Sequence, residues 1–286
     1  MRRRSPDLTV IVIAYDVRDE VLRCLDALHR NRGELELQIV LVDNASRDGT
    51  AAAVRAAFPE VEVVSLAANV GVSARNSGLR SARGRHRMFL DSDAFVTEHA
   101  LQTLVRRLDE SPELGLVGPR LESPDGTLQL SARRFPPRLL PLLRRPPLSR
   151  WFEDSAVVRH HLMADDPHDR PRRVEYVLGA CQVFRAEAQA VVGEIPRGLF
   201  FGPDDALWCF RIRRGGFDIG YEPSAVVVHD YRRTSARRPL SLMALRHLTA
   251  FVEFQWKWRR ERGALIAEGR AMDAEADRAR RAADRT

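Results

Sequence analysis

Five short runs dominated by apolar residues in the first 120 positions, each set off from the next by residues of helical period, constrain the fold more than any other feature of this chain. The runs are LTVIVIAY, ending at Tyr15, then LQIVLVDN, VEVVSL, RMFLD and LGLVGP. A strand that is apolar on both faces has no side to turn toward water, so it must be covered from above and below. Between the runs, Val21, Leu22, Leu25 and Leu28 recur at helical spacing from Asp19, and Asp48, Gly49 and Thr50 open an alanine-rich helix to about Phe58 that Pro59 ends. The later half of NVGVSARNSGL and the stretch from Glu98 to Asp109 predict two more helices. Strand and helix taking turns predict an α/β fold, a Rossmann-like and mostly parallel sheet with helices on both faces. Ligands of such sheets gather at the carboxyl ends of the strands.

Polar residues collect at that rim. Asp16 follows the first strand, Asp43 and Asn44 end the second, Asn69 comes after the third, and Asp91 and Asp93 of FLDSDAF end the fourth. Arg75 and Asn76 open a helix that faces the same way, where arginine suits phosphate or nucleoside. Each residue taken alone is equally a cap or a turn residue, but together they converge. Two carboxylates one residue apart repel each other unless a cation sits between them, and the hard divalent ions Mg2+ and Mn2+ take oxygen ligands and bridge to phosphate. A lone D-x-D is weak evidence, since acid-rich surfaces make such pairs by accident.

The rest of the chain changes character. SPDGT at 123–127 is a turn signal, and residues 131–150 carry six arginines, five prolines and no acid, which forbids a regular helix. VEYVLGACQVF then predicts a strand, GPDDALWCFRIRRGGF a helix opened by Asp204 and Asp205, and SAVVVHD a strand ending at His229. Acids in a first helical turn are often dipole partners and a histidine at a strand end is often only satisfied there. From Leu240, Leu245, Leu248, Val252 and Trp256 repeat at helical spacing beside Trp258, and the last twenty residues read as a solvated helix or fraying tail.

The bulk properties exclude several classes. With 44% hydrophobic and 30% charged residues in 286, the chain is not disordered by composition. It has no run of the ~18 apolar residues needed to span a bilayer, which predicts a cytoplasmic protein. Cys24, Cys181 and Cys209 are too few and too scattered for a disulfide framework or a zinc site. A net charge of +7 rests on arginine, Lys257 being the one lysine, and calls for an anionic partner: nucleic acid, phospholipid or a phosphorylated small molecule.

The ordered set VIVIAYD, VDNASRDGT, NVGVSARNSG, FLDSD, LGACQVFRAEA, DDALWCFRIRRGGF and YEPSAVVVHD resembles the family 2 glycosyltransferases of the GT-A (nucleotide-diphospho-sugar transferase) fold. Within them it is most similar to the bacterial rhamnosyltransferase- and galactofuranosyltransferase-like enzymes that build cell-surface polysaccharide, over about residues 8 to 235. The resemblance implies inverting transfer, with Mg2+ or Mn2+, from a dTDP- or UDP-sugar, rhamnose among them, to a saccharide or polyprenyl-linked acceptor. It implies that Asp43 holds the pyrimidine base against the backbone of Ala14 and Tyr15, with Asp16, Asn69 and Arg75 also on the nucleotide-sugar. Asp91, with Ser92, would approach the ribose or metal, Asp93 would be the main metal ligand, and His229 would complete the shell or touch the diphosphate. Gly179 and Ala180 match small residues beside the sugar, and Asp204 and Asp205 match the catalytic acidic pair, with Asp205 at the place of the base. Leu207 stands where many relatives have a further acid, and NVGVSARNSG has valine where an aromatic is common.

The implied organisation is a nucleotide-sugar half over 1–120, an acceptor and catalytic half of the same domain over 121–238, and a C-terminal helical tail over 239–286. The arginines of 131–150 and Trp256 and Trp258 are either solvated residues and core caps or a peripheral contact with the inner face of an anionic membrane. Nucleic acid is not expected, because the arginines are not interleaved with exposed aromatics. Two other functions remain open. A phosphatase of the haloacid dehalogenase type would want its D-x-D after the first strand, and here it follows the fourth. Against a nucleotide-sugar-binding protein without turnover stand Asp93, Asp205 and His229.

Overall fold

The computed structural model describes residues 5–136, 140, 149–152, 154–196 and 203–231. Its first part follows the predicted alternation. β1 (Leu8–Ala14) leads to α1 (Arg18–Asn31), β2 (Leu37–Asp43) to α2 (Thr50–Ala57), and β3 (Glu62–Ser65) through a 3-10 turn to α3 (Arg75–Ser81). β4 (His86–Asp91) turns sharply into β5 (Ala94–Val96) before α4 (Ala100–Glu110). β3, β2, β1 and β4 lie side by side in parallel. The register sets Ala14 beside Asp43 and Ile13 beside Asp91, so the carboxyl ends of three strands finish nearly level.

Beyond α4 the sheet is mixed. β6 (Leu114–Glu122) is followed by the short β7 (Leu128–Gln129) and β8 (Ala132–Arg133), α5 (Ser149–Phe152), α6 (Ala156–Leu162), β9 (Arg172–Val174) and β10 (Tyr176–Val177). β11 (Cys181–Arg185), α7 (Ala186–Val192), α8 (Asp204–Arg214) and β12 (Asp218–His229) complete the described chain. The main sheet runs β3-β2-β1-β4-β11-β6-β12-β5, with β11 antiparallel to both neighbours and β6 parallel to β12.

The structure corrects one element. VEYVLGACQVF is not one strand but parts of three, split by a bend at Glu175 and a turn at Gly179–Ala180. Buried Glu175 accepts the Phe135 N–H at 2.5 Å, and Tyr176 and Val177 pair with β8 in a separate two-stranded sheet. Val174 before the bend belongs to β9, which pairs with β12 in the main sheet, and after the turn the chain re-enters that sheet as β11. An apolar run reports burial and not the sheet in which the strand is buried.

Successive side chains of a strand point to opposite faces, and both faces of this sheet are covered. On one, Val21, Leu25 and Leu28 of α1 and Leu101, Leu104 and Leu108 of α4 share a core with Val10, Val12, Leu41 and Leu90. On the other, Leu79 of α3 and Trp208 and Phe210 of α8 pack with Ile11, Val40, Val42 and Phe89. Trp208 meets Phe89 at 5.5 Å and Phe184 at 5.4 Å between ring centroids, which seats α8 over the β4–β11 pair. α3 comes so close to β1 that a Cβ on Gly78 would lie 2.3 Å from Ile11 Cγ2. Both helices thus present their first residues to the rim where the strands end.

The three cysteines are buried and unpaired. Most of the arginine- and proline-rich segment, and the whole 239–286 tail with Trp256 and Trp258, lie outside the described residues. No helix among the described residues is long and apolar enough to cross a membrane.

Candidate active site

The ends of β1, β2 and β3 are tied into one shelf. Asn44 N donates to the Ala14 carbonyl at 2.8 Å, and Asn44 Nδ2 donates to Asn69 Oδ1 at 3.0 Å and to Gly71 O at 3.2 Å. Asn69 Oδ1 also accepts from Gly71 N, and Asn44 Oδ1 from Val70 N, both at 2.9 Å. Asp43 is buried and accepts the Ser46 N–H at 3.0 Å. Asp16, at a left-handed φ of 53°, accepts the Arg47 N–H at 2.6 Å and donates its own N–H to Ser46 Oγ at 3.1 Å. Tyr15 stands exposed beside them. The shelf is therefore rigid, with one aromatic ring and one buried carboxylate at its edge.

Next to it lies an acidic cluster. Asp91 ends β4, Ser92 occupies the turn, and Asp93 precedes β5. β5 pairs with β12 so that Ala94 lies opposite His229, and Asp230 N donates to Asp93 O at 2.9 Å. One ligand atom each from Asp91, Asp93 and His229 lies within 4.8 Å of the others, with His229 Nε2 3.6 Å from Asp93 Oδ1. Burial first, then the charge of Asp91 and smaller contributions from Asp230 and Glu20, push the Asp93 carboxyl up to about 7. Burial holds His229 below the usual imidazole value and so neutral, the form that offers a lone pair to a metal. Two carboxylates and a neutral imidazole within reach of one point fit Mg2+ or Mn2+, and a cation relieves the charge that this cluster concentrates.

Arg75 joins this cluster to the second acidic pair. Its Nη1 donates to Asp204 Oδ2 at 2.7 Å, and its Nη2 to Asp91 Oδ1 at 2.9 Å and to Gly179 O at 3.4 Å. The guanidinium lies 4.8 Å from the Phe89 ring centroid, and only 6% of the side chain is exposed. Asp205 sits beside Asp204 at the first turn of α8 and accepts the Ala206 N–H at 2.7 Å. Burial, then the charge of Asp204, push its carboxyl up to about 6, against the pull of Arg133 and Arg75. A Cβ on Gly179 would lie 3.3 Å from Asp205 Cβ and 3.9 Å from the Arg75 nitrogens, so the turn keeps this corner narrow but open. Ala180 O accepts the Asp91 N–H at 2.9 Å.

Arg75, Asp91, Asp93, Gly179, Ala180, Asp204, Asp205 and His229 are thus brought to one end of the sheet, with Ala14, Tyr15, Asp16, Asp43 and Asn69 on the adjoining shelf. Asn76 turns away: its amide pairs with both backbone groups of Ile195 at 2.8 Å. Leu207 is buried in the core under α8. Sequence reasoning passed over Gln129, whose side chain bonds His229, and Arg133, whose charge acts on Asp205. The SPDGT turn, which folds the chain back just before Gln129, was the available signal for the first.

The sequence profile of Glycosyl transferase family 2 matches residues 9–177. An N-acetylglucosaminyl-diphospho-decaprenol L-rhamnosyltransferase of Mycobacterium tuberculosis is 24% identical over 257 residues, covering 86% of this chain and 83% of its own. Succinoglycan biosynthesis protein ExoO of Rhizobium meliloti is 29% identical over 244 residues, 84% of this chain and 65% of its own. Among solved structures, GalNAc-T7 with UDP, GalNAc and Mn2+ superposes with a TM-score of 0.62 at 17% identity, over 80% of this chain and 44% of that one. The mannosyltransferase PcManGT of Pyrobaculum calidifontis, in complex with GDP-Man and Mn2+, superposes with a TM-score of 0.55 at 21% identity, over 98% of this chain and 81% of that one. Both share the fold described above.

Proposed function

The chain belongs to glycosyl transferase family 2 and has the GT-A fold, and from that premise we propose that it is an inverting enzyme that moves a sugar from a dTDP- or UDP-sugar to a saccharide carried on a polyprenyl lipid. The observation that carries this reading is the meeting of Asp91, Asp93 and His229 at one rim with Asp205, the two groups joined through Arg75 and Asp204. Asp91, Asp93 and His229 are the residues to hold Mg2+ or Mn2+, which supplies charge compensation for a diphosphate leaving group.

The remaining roles belong to the chain's own groups. Asp43 and the backbone of Ala14 and Tyr15 take the pyrimidine base, and Asp16 and Asn69 keep that shelf in shape. Arg75 holds Asp204 and Asp91 in fixed positions, which leaves Asp205 to accept the proton of the acceptor hydroxyl. At about 6 its carboxyl is ionised at neutral pH and yet more basic than an ordinary aspartate. Gly179 and Ala180 leave the sugar room beside that base. One base on the face opposite the leaving group makes a single displacement, and a single displacement inverts the anomeric centre.

Rhamnose is the first donor to try and a polyprenyl-diphosphate saccharide the first acceptor, because both stand in the name of the Mycobacterium tuberculosis relative. Such an acceptor places the reaction at the cytoplasmic face of the membrane, where an arginine-rich chain of net charge +7 meets anionic lipid. The test is a screen of dTDP- and UDP-sugars against lipid-linked saccharides, with products read by mass spectrometry, for wild type and Asp205→Asn. Transfer by wild type that Asp205→Asn lacks supports the assignment; no product from any pair, or near-normal transfer by Asp205→Asn, overturns it.

A further inference from the structure

We propose that Gln129 is the positioning residue that makes His229 a nitrogen ligand, by keeping the imidazole proton on Nδ1 and leaving the Nε2 lone pair turned toward Asp93. The inference rests on the reading of this rim as a metal-dependent transferase centre.

A backbone carbonyl has no proton to give. The Gln129 amide atom 2.7 Å from His229 O must therefore be its nitrogen, and the same Nε2 also donates to Ser123 Oγ at 3.0 Å. The amide oxygen, Oε1, then faces His229 Nδ1 at 2.8 Å, and since it can only accept, Nδ1 carries the hydrogen. A neutral imidazole has one N–H, so Nε2 is bare. That nitrogen lies 3.6 Å from Asp93 Oδ1, in the group whose three ligand atoms fall within 4.8 Å. One carbonyl oxygen thus orients an amide, and the amide selects a tautomer. Without Gln129, the nearest strong acceptor is the Asp93 carboxylate, which draws the proton to Nε2 and closes it as a ligand.

The fold places Gln129 there through a turn that the transferase motifs do not include. In SPDGT, Gly126 takes a φ of +82°, Ser123 N donates to Thr127 O at 2.8 Å, and Asp125 Oδ1 accepts the Thr127 N–H at 2.9 Å. The chain returns antiparallel to β6, so that Leu121 pairs with Gln129 on one side and Val227 on the other. The Gln129 side chain then meets His229 just past the end of β6. Outer partners of metal-bound histidines orient the ring, and their loss typically costs about 10–100-fold in metal affinity.

The test uses the full chain with UDP or dTDP. Nitrogen-15 NMR of the metal-free protein at neutral pH reads the His229 tautomer, and electron paramagnetic resonance titration reads Mn2+ affinity; thermal unfolding checks each variant's fold. Wild type should show the proton on Nδ1. Gln129→Met, close in size and without an amide, should move it to Nε2 and weaken Mn2+ by roughly 10–100-fold, while Gln129→Glu, which keeps an acceptor, should retain the Nδ1 proton and bind Mn2+ more tightly than Gln129→Met. An Nε2–H tautomer in wild type overturns the inference, whether or not the variants fold. Equal Mn2+ affinity in wild type and Gln129→Met overturns it as well, and leaves the transferase reading untouched. A wild type that binds no Mn2+ with either nucleotide overturns the metal centre itself, and the inference with it.

Discussion

Replacing the proposed base should make the protein more stable at neutral pH while removing its activity. Burial and the charge of Asp204 raise the Asp205 carboxyl from 3.8 to about 6, so the folded chain holds that proton more tightly than the unfolded chain does. The contribution to stability is whole below about 3.8 and is lost as pH rises through about 6. At 1.36 kcal/mol per pH unit, the penalty above that range is roughly 3 kcal/mol; water at the open rim screens part of it, which leaves about 2 kcal/mol to recover. Asparagine has nearly the same shape, carries no charge, and keeps an oxygen to accept the Ala206 N–H. For a domain of this size about 2 kcal/mol corresponds to a rise of roughly 4–8 °C in melting temperature. Thermal unfolding of wild type and Asp205→Asn should show that gap at pH 8, and its closure near pH 4. An Asn variant that is no more stable at pH 8, or a gap that does not change with pH, would refute the claim that Asp205 is held ionised against its surroundings.

The same carboxyl should set the acid limb of the rate: at saturating donor and Mn2+, transfer should fall as pH drops through about 6, and a rate unchanged down to pH 5 would remove Asp205 from the role of base. Arg75→Met takes away the cation between Asp91 and Asp204. Loss of one partner from a buried pair typically costs about 3–5 kcal/mol; Asp91 is partly exposed, so the expected loss is roughly 2–3 kcal/mol, read by urea unfolding. Arg75→Lys should not rescue transfer, because one ammonium does not reproduce the fork that reaches Asp91, Asp204 and the Gly179 carbonyl together.

Where a local pattern decides the structure, the sequence was easy to read. β1, β2 and β4 are apolar on both faces because both faces are covered, and the acids that follow them must fall at the sheet's carboxyl rim. Asp204 and Asp205 were legible for a similar reason, since they open α8 ahead of its buried apolar residues. Pairings over long separations were not. Arg75 is a plausible phosphate ligand by position, yet its guanidinium is held by Asp91 and by Asp204, the latter 129 residues away. Gln129 and His229 are 100 residues apart and meet only because a turn reverses the chain beside β6. VEYVLGACQVF misled because nearly all of its residues are buried, in two different sheets.

The distribution of charge at the rim gives one arginine contacts with both halves of the proposed reaction centre. Four carboxylates, those of Asp91, Asp93, Asp204 and Asp205, share the rim with the guanidinium of Arg75, which bonds Asp91 and Asp204. Asp93 and Asp205, neither of them hydrogen-bonded to it, are pushed up to about 7 and about 6. Each can be relieved in its own way, Asp93 by a cation and Asp205 by a proton. Those are the two things that the proposed transfer brings to the site, the ion that accompanies the diphosphate and the proton of the acceptor hydroxyl. Because Arg75 packs on Phe89 and ties β4 to α8, it holds the proposed ion-binding and proton-accepting ends at a fixed separation. Loosening it should therefore weaken Mn2+-dependent nucleotide binding and slow transfer together. A loss of one without the other would mean that the two ends are positioned independently.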